Sequence, residues 1–156
     1  RTNEQVLDEF CRLTNFSPVT FRSTDDTGVD IYHTNVMMCV ADAYAVICLE
    51  SISDEEQRKN VITSLQRTNK EIIDISQQQL NSFAGNMLQV KSADGELLLV
   101  TSTQAFASLT LSQIKKLEKY NRIIHASLNT IETAGGGSAR CMMAEVFLAG
   151  NKKPGD

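Results

Sequence analysis

Residues 71–76 read Glu-Ile-Ile-Asp-Ile-Ser, and residues 122–127 read Arg-Ile-Ile-His-Ala-Ser. The two stretches lie 51 positions apart, and the same interval separates Asn35 from Asn86. A fixed interval of about fifty residues marks a repeat architecture. Each stretch closes a unit of the form strand, strand, helix, strand. Two such units could recur by chance, because the arrangement is common; an identical interval at both ends of the unit argues against that.

Working outward, the first unit opens at Asp30-Ile-Tyr-His-Thr-Asn-Val-Met-Met-Cys-Val-Ala41. Its second half is apolar at every position, which suits a strand buried on both faces. Asp42-Ala43 turns the chain and Tyr44 to Leu49 returns it. Ser53-Asp-Glu-Glu56 has the spacing of a capping box, with Ser53 as cap of a helix to about Thr68. The second unit has a strand over Asn86-Met-Leu-Gln-Val-Lys-Ser, the hairpin signal Asp94-Gly95, and a return strand from Glu96 to Thr101. Thr110-Leu-Ser-Gln113 is a second capping box, opening a helix to about Tyr120. A third unit begins at Ala139-Arg-Cys-Met-Met-Ala-Glu-Val-Phe-Leu148. Ahead of Asp30, Val6, Leu7, Phe10 and Leu13 recur at helical spacing, and Val19-Thr-Phe-Arg22 reads as a strand. That helix and strand look like the tail of an earlier unit. The expectation is one partial α/β domain over residues 1–156, with repeats near 30–80, 81–130 and 135–150. The first residue is Arg1 rather than Met, so a fragment or a processed chain is expected. Open strand edges invite pairing, so a second copy or further chain is expected to cover them.

Composition narrows the function classes. Apolar residues make up 42% and charged residues 22%, the balance of an ordinary globular domain. No apolar run approaches the roughly 18 residues that span a bilayer. The net charge is −4 and no Lys/Arg run occurs, which argues against nucleic acid and anionic membranes as partners. Cys11, Cys39, Cys48 and Cys141 contain no Cys-x-x-Cys pair, and only His33 and His125 could join them. Neither a disulfide framework nor a zinc site is expected, nor any other cofactor. Free thiols without an export signal point to the cytoplasm. Cys39 and Cys48 lie inside apolar runs and read as small buried hydrophobes.

Cys141 differs, because it follows Gly135-Gly136-Gly137-Ser138-Ala139-Arg140. A glycine run lets backbone approach a ligand closely, and a thiol at its end can act as a nucleophile when a histidine assists. His33 opens the first buried run. Taken singly, each feature has a plainer reading: a structural histidine, a tight turn, a core cysteine.

Together they resemble the amidinotransferase and arginine-deiminase superfamily. His-Thr-Asn-Val-Met-Met, residues 33–38, resembles its catalytic-histidine strand; Gly-Gly-Gly-Ser-Ala-Arg-Cys-Met, residues 135–142, its nucleophile loop; and Phe83-Ala-Gly-Asn-Met-Leu88 the strand between. The resemblance runs from about Asp30 to Leu148 and is closest to the bacterial amidinotransferase-like branch, some members of which are proposed citrulline-utilising hydrolases. It implies a pentein, a five-bladed α/β propeller of ββαβ blades, of which this chain would hold about half. It also implies chemistry: Cys141 attacks a guanidino or ureido carbon of a small compound, His33 serves as acid and then base, and an S-adduct is resolved by water or an acceptor amine. Asn35 stands where arginine deiminases carry an aspartate, so it offers hydrogen bonds without charge. Asn35 and Asn86 are the candidate substrate contacts. Arg140 either assists the substrate or thiolate charge or is simply ion-paired. Ile131-Glu132-Thr133-Ala134 occupies a stretch where some deiminases hold a carboxylate-binding arginine, so recognition of an amino-acid carboxylate is not implied. The family's acidic site residues are expected ahead of Arg1, and Glu132 reads as a loop carboxylate. The alternative is a non-catalytic pentein used for binding or assembly, or a half-domain inactive alone.

Overall fold

Helix α1, Glu4–Thr14, forms where the apolar spacing placed it, in a computed structural model that describes residues 3–145. Asn3 caps it by accepting from the Val6 amide at 3.2 Å, and Asn15 ends it in the left-handed conformation at φ 58°. None of its residues is buried; Val6, Phe10 and Leu13 lie more than half exposed along one face. The strand expected over residues 19–22 does not form. Its backbone finds no neighbouring ladder: the Arg22 amide donates to the Gln57 side chain at 2.7 Å, and the next pairing is a single bridge between Thr24 and Asp30.

The apolar run after Asp30 divides in two, contrary to the single strand expected there. Thr34–Met37 winds into one turn of helix, α2, and only Met38–Val40 extends as β1. Asn86 takes up the Asn35 carbonyl of this turn through its side chain, and Gly85 passes close against the Val36 oxygen. Strand β2, Tyr44–Ile47, is buried at every position and pairs antiparallel with β1, Met38 opposite Ile47. Helix α3, Glu55–Arg67, starts one residue later than expected. Asp54, not Ser53, caps it by accepting from the Gln57 amide at 2.8 Å, and the Gln57 side chain serves Arg22 rather than closing the box. Strand β3, Glu71–Asp74, then lies parallel to β2, with Ile73 opposite Val46. A short helix α4, Gln77–Asn81, follows with a closed capping box between Ser76 and Gln79.

The second unit repeats the order. Strands β4, Leu88–Lys91, and β5, Leu97–Ser102, form an antiparallel hairpin whose turn places Gly95 at φ 88°. Helix α5, Thr103–Ser108, was not foreseen. Helix α6, Leu111–Glu118, carries the capping box read at Thr110 and Gln113. Strand β6, Arg122–Ala126, lies parallel to β5, with Ile124 opposite Val100. The two three-stranded sheets thus share one topology. The interval is not uniform inside them: Val46 and Val100, the partners of Ile73 and Ile124, stand further apart than 51 positions. The second hairpin is therefore longer and its return connection shorter.

The two units are joined through Tyr44. Its ring stacks on Tyr120 at 5.3 Å, and its hydroxyl donates to Asn121 Oδ1 at 2.6 Å, an oxygen that also accepts from Gln89 at 2.8 Å. Burial pushes the Tyr44 phenol well above its ordinary range, so it remains a donor. After β6 the chain forms helix α7, Asn129–Gly135, and a single 3-10 turn at Ala139–Met142 where a strand was expected. Residues 146–148 of that expected strand lie outside the described residues.

Candidate active site

Asn86 organises the site. The backbone reaches it through Phe83, held at φ 65°, a conformation uncommon for a bulky side chain, and the Asn86 amide donates back to the Phe83 carbonyl at 2.8 Å. Gly85 then passes so close to α2 that a Cβ there would sit 2.4 Å from the Val36 oxygen. Only glycine permits that approach. It brings Asn86 beneath α2, 2% exposed, where its Nδ2 donates to the Asn35 carbonyl at 2.8 Å and to Cys141 Sγ at 3.1 Å. Its Oδ1 accepts from the Ser138 amide at 3.2 Å and the Cys141 amide at 3.4 Å.

Cys141 comes from the segment after α7. Gly136 ends that helix in the left-handed conformation at φ 65°, and a Cβ on Gly137 would stand 3.0 Å from the Cys141 sulfur. The glycine run therefore clears space for the thiol. Cys141 is exposed and free, and Asn35 Nδ2 lies 3.7 Å from its sulfur. Below the loop, fully buried Ser138 donates to Glu132 Oε1 at 2.6 Å, and Glu132 is itself buried. The sequence reads Glu132 as a loop carboxylate. It sits instead in α7, a seven-residue helix that no strong periodicity announced, and its burial depends on a partner six residues on.

Of the predicted site residues, the structure brings Asn35, Asn86 and Cys141 into direct contact. Arg140 joins them by its backbone, its amide 3.4 Å from the Asn86 carbonyl. Its guanidinium turns back on its own segment, donating to the Met143 carbonyl at 2.9 Å and standing 4.0 Å from Glu145. His33 precedes α2 without capping it by its side chain, and its ring meets Tyr32 edge-on at 5.0 Å. His33 borders a hollow of about 310 Å³ that also touches Leu7, Phe21 and Ile31. Asn35 and Arg140 border a second one of about 240 Å³. Thr34 lines both.

The remaining cysteines divide as the apolar runs suggested. Burial pushes the Cys39 and Cys48 thiols up to about 11. Cys11 is half-buried on α1. Among the described residues no three His, Cys, Asp or Glu side chains converge as metal ligands, and no helix is long and apolar enough to cross a membrane.

The family model described as N,N dimethylarginine dimethylhydrolase, eukaryotic, matches residues 1–148. A search of curated proteins returns no match. Among solved structures, the fold is similar to that of apo ArgZ, an arginine dihydrolase from the ornithine-ammonia cycle in cyanobacteria. The TM-score is 0.70 and identity 16%, over 96% of this chain and 22% of that one. It is also similar to the N-terminal domain of an ArgZ variant covalently bound to a reaction intermediate. There the TM-score is 0.65 and identity 16%, over 91% of this chain and 47% of that one. The chain spans less than half the length of either structure.

Proposed function

Since the chain belongs to the eukaryotic N,N-dimethylarginine dimethylhydrolase family, and so to the amidinotransferase and arginine-deiminase superfamily, we propose that it carries the nucleophile of a hydrolase acting on a small guanidino or ureido compound. One observation supports this most: an exposed, free thiol, Cys141, set at the end of a glycine run with two asparagine side chains turned to its sulfur. In a chain whose buried cysteines are held as thiols, that placement suits attack rather than packing.

The reaction follows in balanced steps. The Cys141 thiolate adds to the central carbon of the guanidinium. The bond from that carbon to the departing amine breaks, and His33 as imidazolium supplies its proton. A water then adds to the S-bound carbon, giving a proton to neutral His33. The carbon–sulfur bond breaks, and a ureido product leaves with the thiolate restored. The family name favours water over an acceptor amine at the second step. Asn35, with a side-chain oxygen that is buried and unpartnered, is placed to accept an N–H of the bound group. The chain provides about half of a five-bladed ring, with repeats near residues 30–80, 81–130 and 135–150. Acidic residues for the cation come from the rest of that ring, and the working compartment is the cytoplasm.

A haloacetamidine, which pairs a guanidinium-like carbon with a leaving halide, tests the reading. It is expected to alkylate Cys141 ahead of the other cysteines and to abolish formation of ureido product from methylated and unmethylated guanidino amino acids. Ureido product from a Cys141→Ala protein would exclude the mechanism.

A further inference from the structure

We propose that Asn86 is a positioning residue for this chemistry: its side-chain amide fixes the Cys141 sulfur and presents it with an N–H donor that favours the thiolate. The inference rests on Cys141 being the nucleophile and moves Asn86 from substrate contact to support of the sulfur.

Burial is the first reason. At 2% exposure Asn86 lies beneath the site rather than in it. The second is saturation. A primary amide has two N–H donors and two acceptor lone pairs. Here the donors go to the Asn35 carbonyl at 2.8 Å and Cys141 Sγ at 3.1 Å, and the acceptor serves the amides of Ser138 at 3.2 Å and Cys141 at 3.4 Å. Nothing is left over for a substrate.

The third reason is that this orientation is forced. Rotating the amide by half a turn would set its NH2 against two backbone N–H groups and its oxygen against a carbonyl. Backbone groups cannot reverse roles, so they fix which end of Asn86 meets the sulfur, and that end is a donor. A neutral thiol is a weak acceptor, whereas an anionic acceptor makes the stronger, charge-assisted bond. The amide cannot follow the sulfur away, because Asn86 is pinned by its own backbone bonds to Phe83 and Arg140 and by the close passage of Gly85 against Val36. Asn35, the counterpart in the preceding repeat, turns a second N–H to the same sulfur at 3.7 Å. The ionisable groups nearest in the packing are Arg140 and Glu145 on its own segment and Glu132 beneath Ser138, and His33 lies at the start of α2.

Two variants separate positioning from mere support. Asn86→Asp keeps an acceptor for Ser138 and Cys141 but sets a carboxylate oxygen against the sulfur. Asn86→Ala removes donor and acceptor together. Iodoacetamide alkylation of Cys141, followed by peptide mapping from neutral to alkaline pH, is expected to shift to higher pH in both variants. The shift should be larger for Asn86→Asp, with a rate at neutral pH about tenfold lower or less, as for loss of a bond to a charged acceptor. A purely structural role would lower the melting temperature and expose Cys39 and Cys48 while leaving the Cys141 profile in place; that result would overturn the proposal. A wild-type measurement covers the case in which neither variant folds. The Asn86 side-chain amide resonances in 15N-labelled protein should move over the pH range in which Cys141 becomes reactive, and resonances that stay still would also overturn it. If wild-type Cys141 reacts no faster than Cys11, the nucleophile reading fails and this inference with it. If Cys141 is selectively reactive but the Asn86 variants share its profile, only this inference fails.

Discussion

Asn86 donates its side-chain amide to the backbone carbonyl of Asn35 at 2.8 Å, and these two asparagines occupy the same position of successive repeats, 51 residues apart. Equivalent positions of two units therefore meet at one point, and Cys141 is inserted between them. A repeat that would otherwise be only architectural sets two identical amides against one sulfur. The arrangement depends on close backbone passage, on a buried support under the loop, and on covered apolar faces, and each of these can be tested.

Gly85 is the tightest of these points. Replacing it with alanine would place a Cβ 2.4 Å from the Val36 oxygen and 2.8 Å from the Met37 carbonyl carbon, both backbone atoms that cannot swing away. Gly85→Ala is expected to destabilise by about 1–3 kcal/mol, as overpacking does. That corresponds to a melting temperature lower by about 2–4 °C per kcal/mol, and to slower alkylation of Cys141. Gly135→Ala is the control. Nothing lies within 4 Å of its Cβ position at the end of α7, so it should be neutral or slightly stabilising.

Glu132 supports the loop that carries Cys141 through Ser138. Glu132→Ala leaves a fully buried hydroxyl without its acceptor and should cost about 1–3 kcal/mol. Glu132→Gln keeps an oxygen for Ser138 and should cost less. Differential scanning calorimetry of the two variants checks the order, and an equal loss in both would show that the Ser138 bond is not what matters.

Cysteine selectivity should persist into mildly alkaline solution. Cys39 and Cys48 are held up to about 11 by burial, so they stay protonated and shielded where an exposed thiol reacts. Iodoacetamide with peptide mapping should mark Cys141 first and leave Cys39 and Cys48 unmodified until the protein unfolds. Native-state labelling of either one would contradict the described burial.

Acid should weaken the link between β3 and the end of α6. The Tyr120 hydroxyl donates to Glu71 at 2.8 Å, and this bond first, then Lys119 and Lys116, lowers the Glu71 carboxyl below its ordinary range. A folded-state value below the unfolded one means stability that is present above the unfolded value and lost as pH falls through the folded one. Tyr120→Phe should therefore lower the melting temperature at neutral pH, with the difference shrinking below about pH 4.5, the ordinary glutamate value. A constant difference down to strongly acidic pH would remove Glu71 as the cause.

The stripe of Val6, Phe10 and Leu13 on α1 should drive association of the 156-residue chain studied alone. Light scattering is expected to show a species heavier than one chain, and Phe10→Ser with Leu13→Ser should reduce it. A monomer at high concentration would count against a copy covering this face.

Periodicity and spacing alone determined much of this protein. The two ββαβ units, the hairpin at Asp94-Gly95 and the cap at Thr110 follow from side-chain alternation and turn chemistry, which act over a few residues. The interval of 51 marked the repeat, and the resemblance of the motifs around His33, Asn86 and Cys141 pointed to the superfamily. Local pattern misread the segments whose backbone bonds are settled at a distance. Residues 34–37 lead straight into the apolar run from Val36 and read as the start of its strand, yet they coil, with Gly85 and Asn86 packed on them from fifty residues away. Residues 19–22 alternate like a strand but have no ladder to join. The loop glutamate became a buried support because Ser138 reaches back to it. Only the tertiary structure could decide these, since a hydrogen bond to a distant partner leaves no trace in the local order of residues.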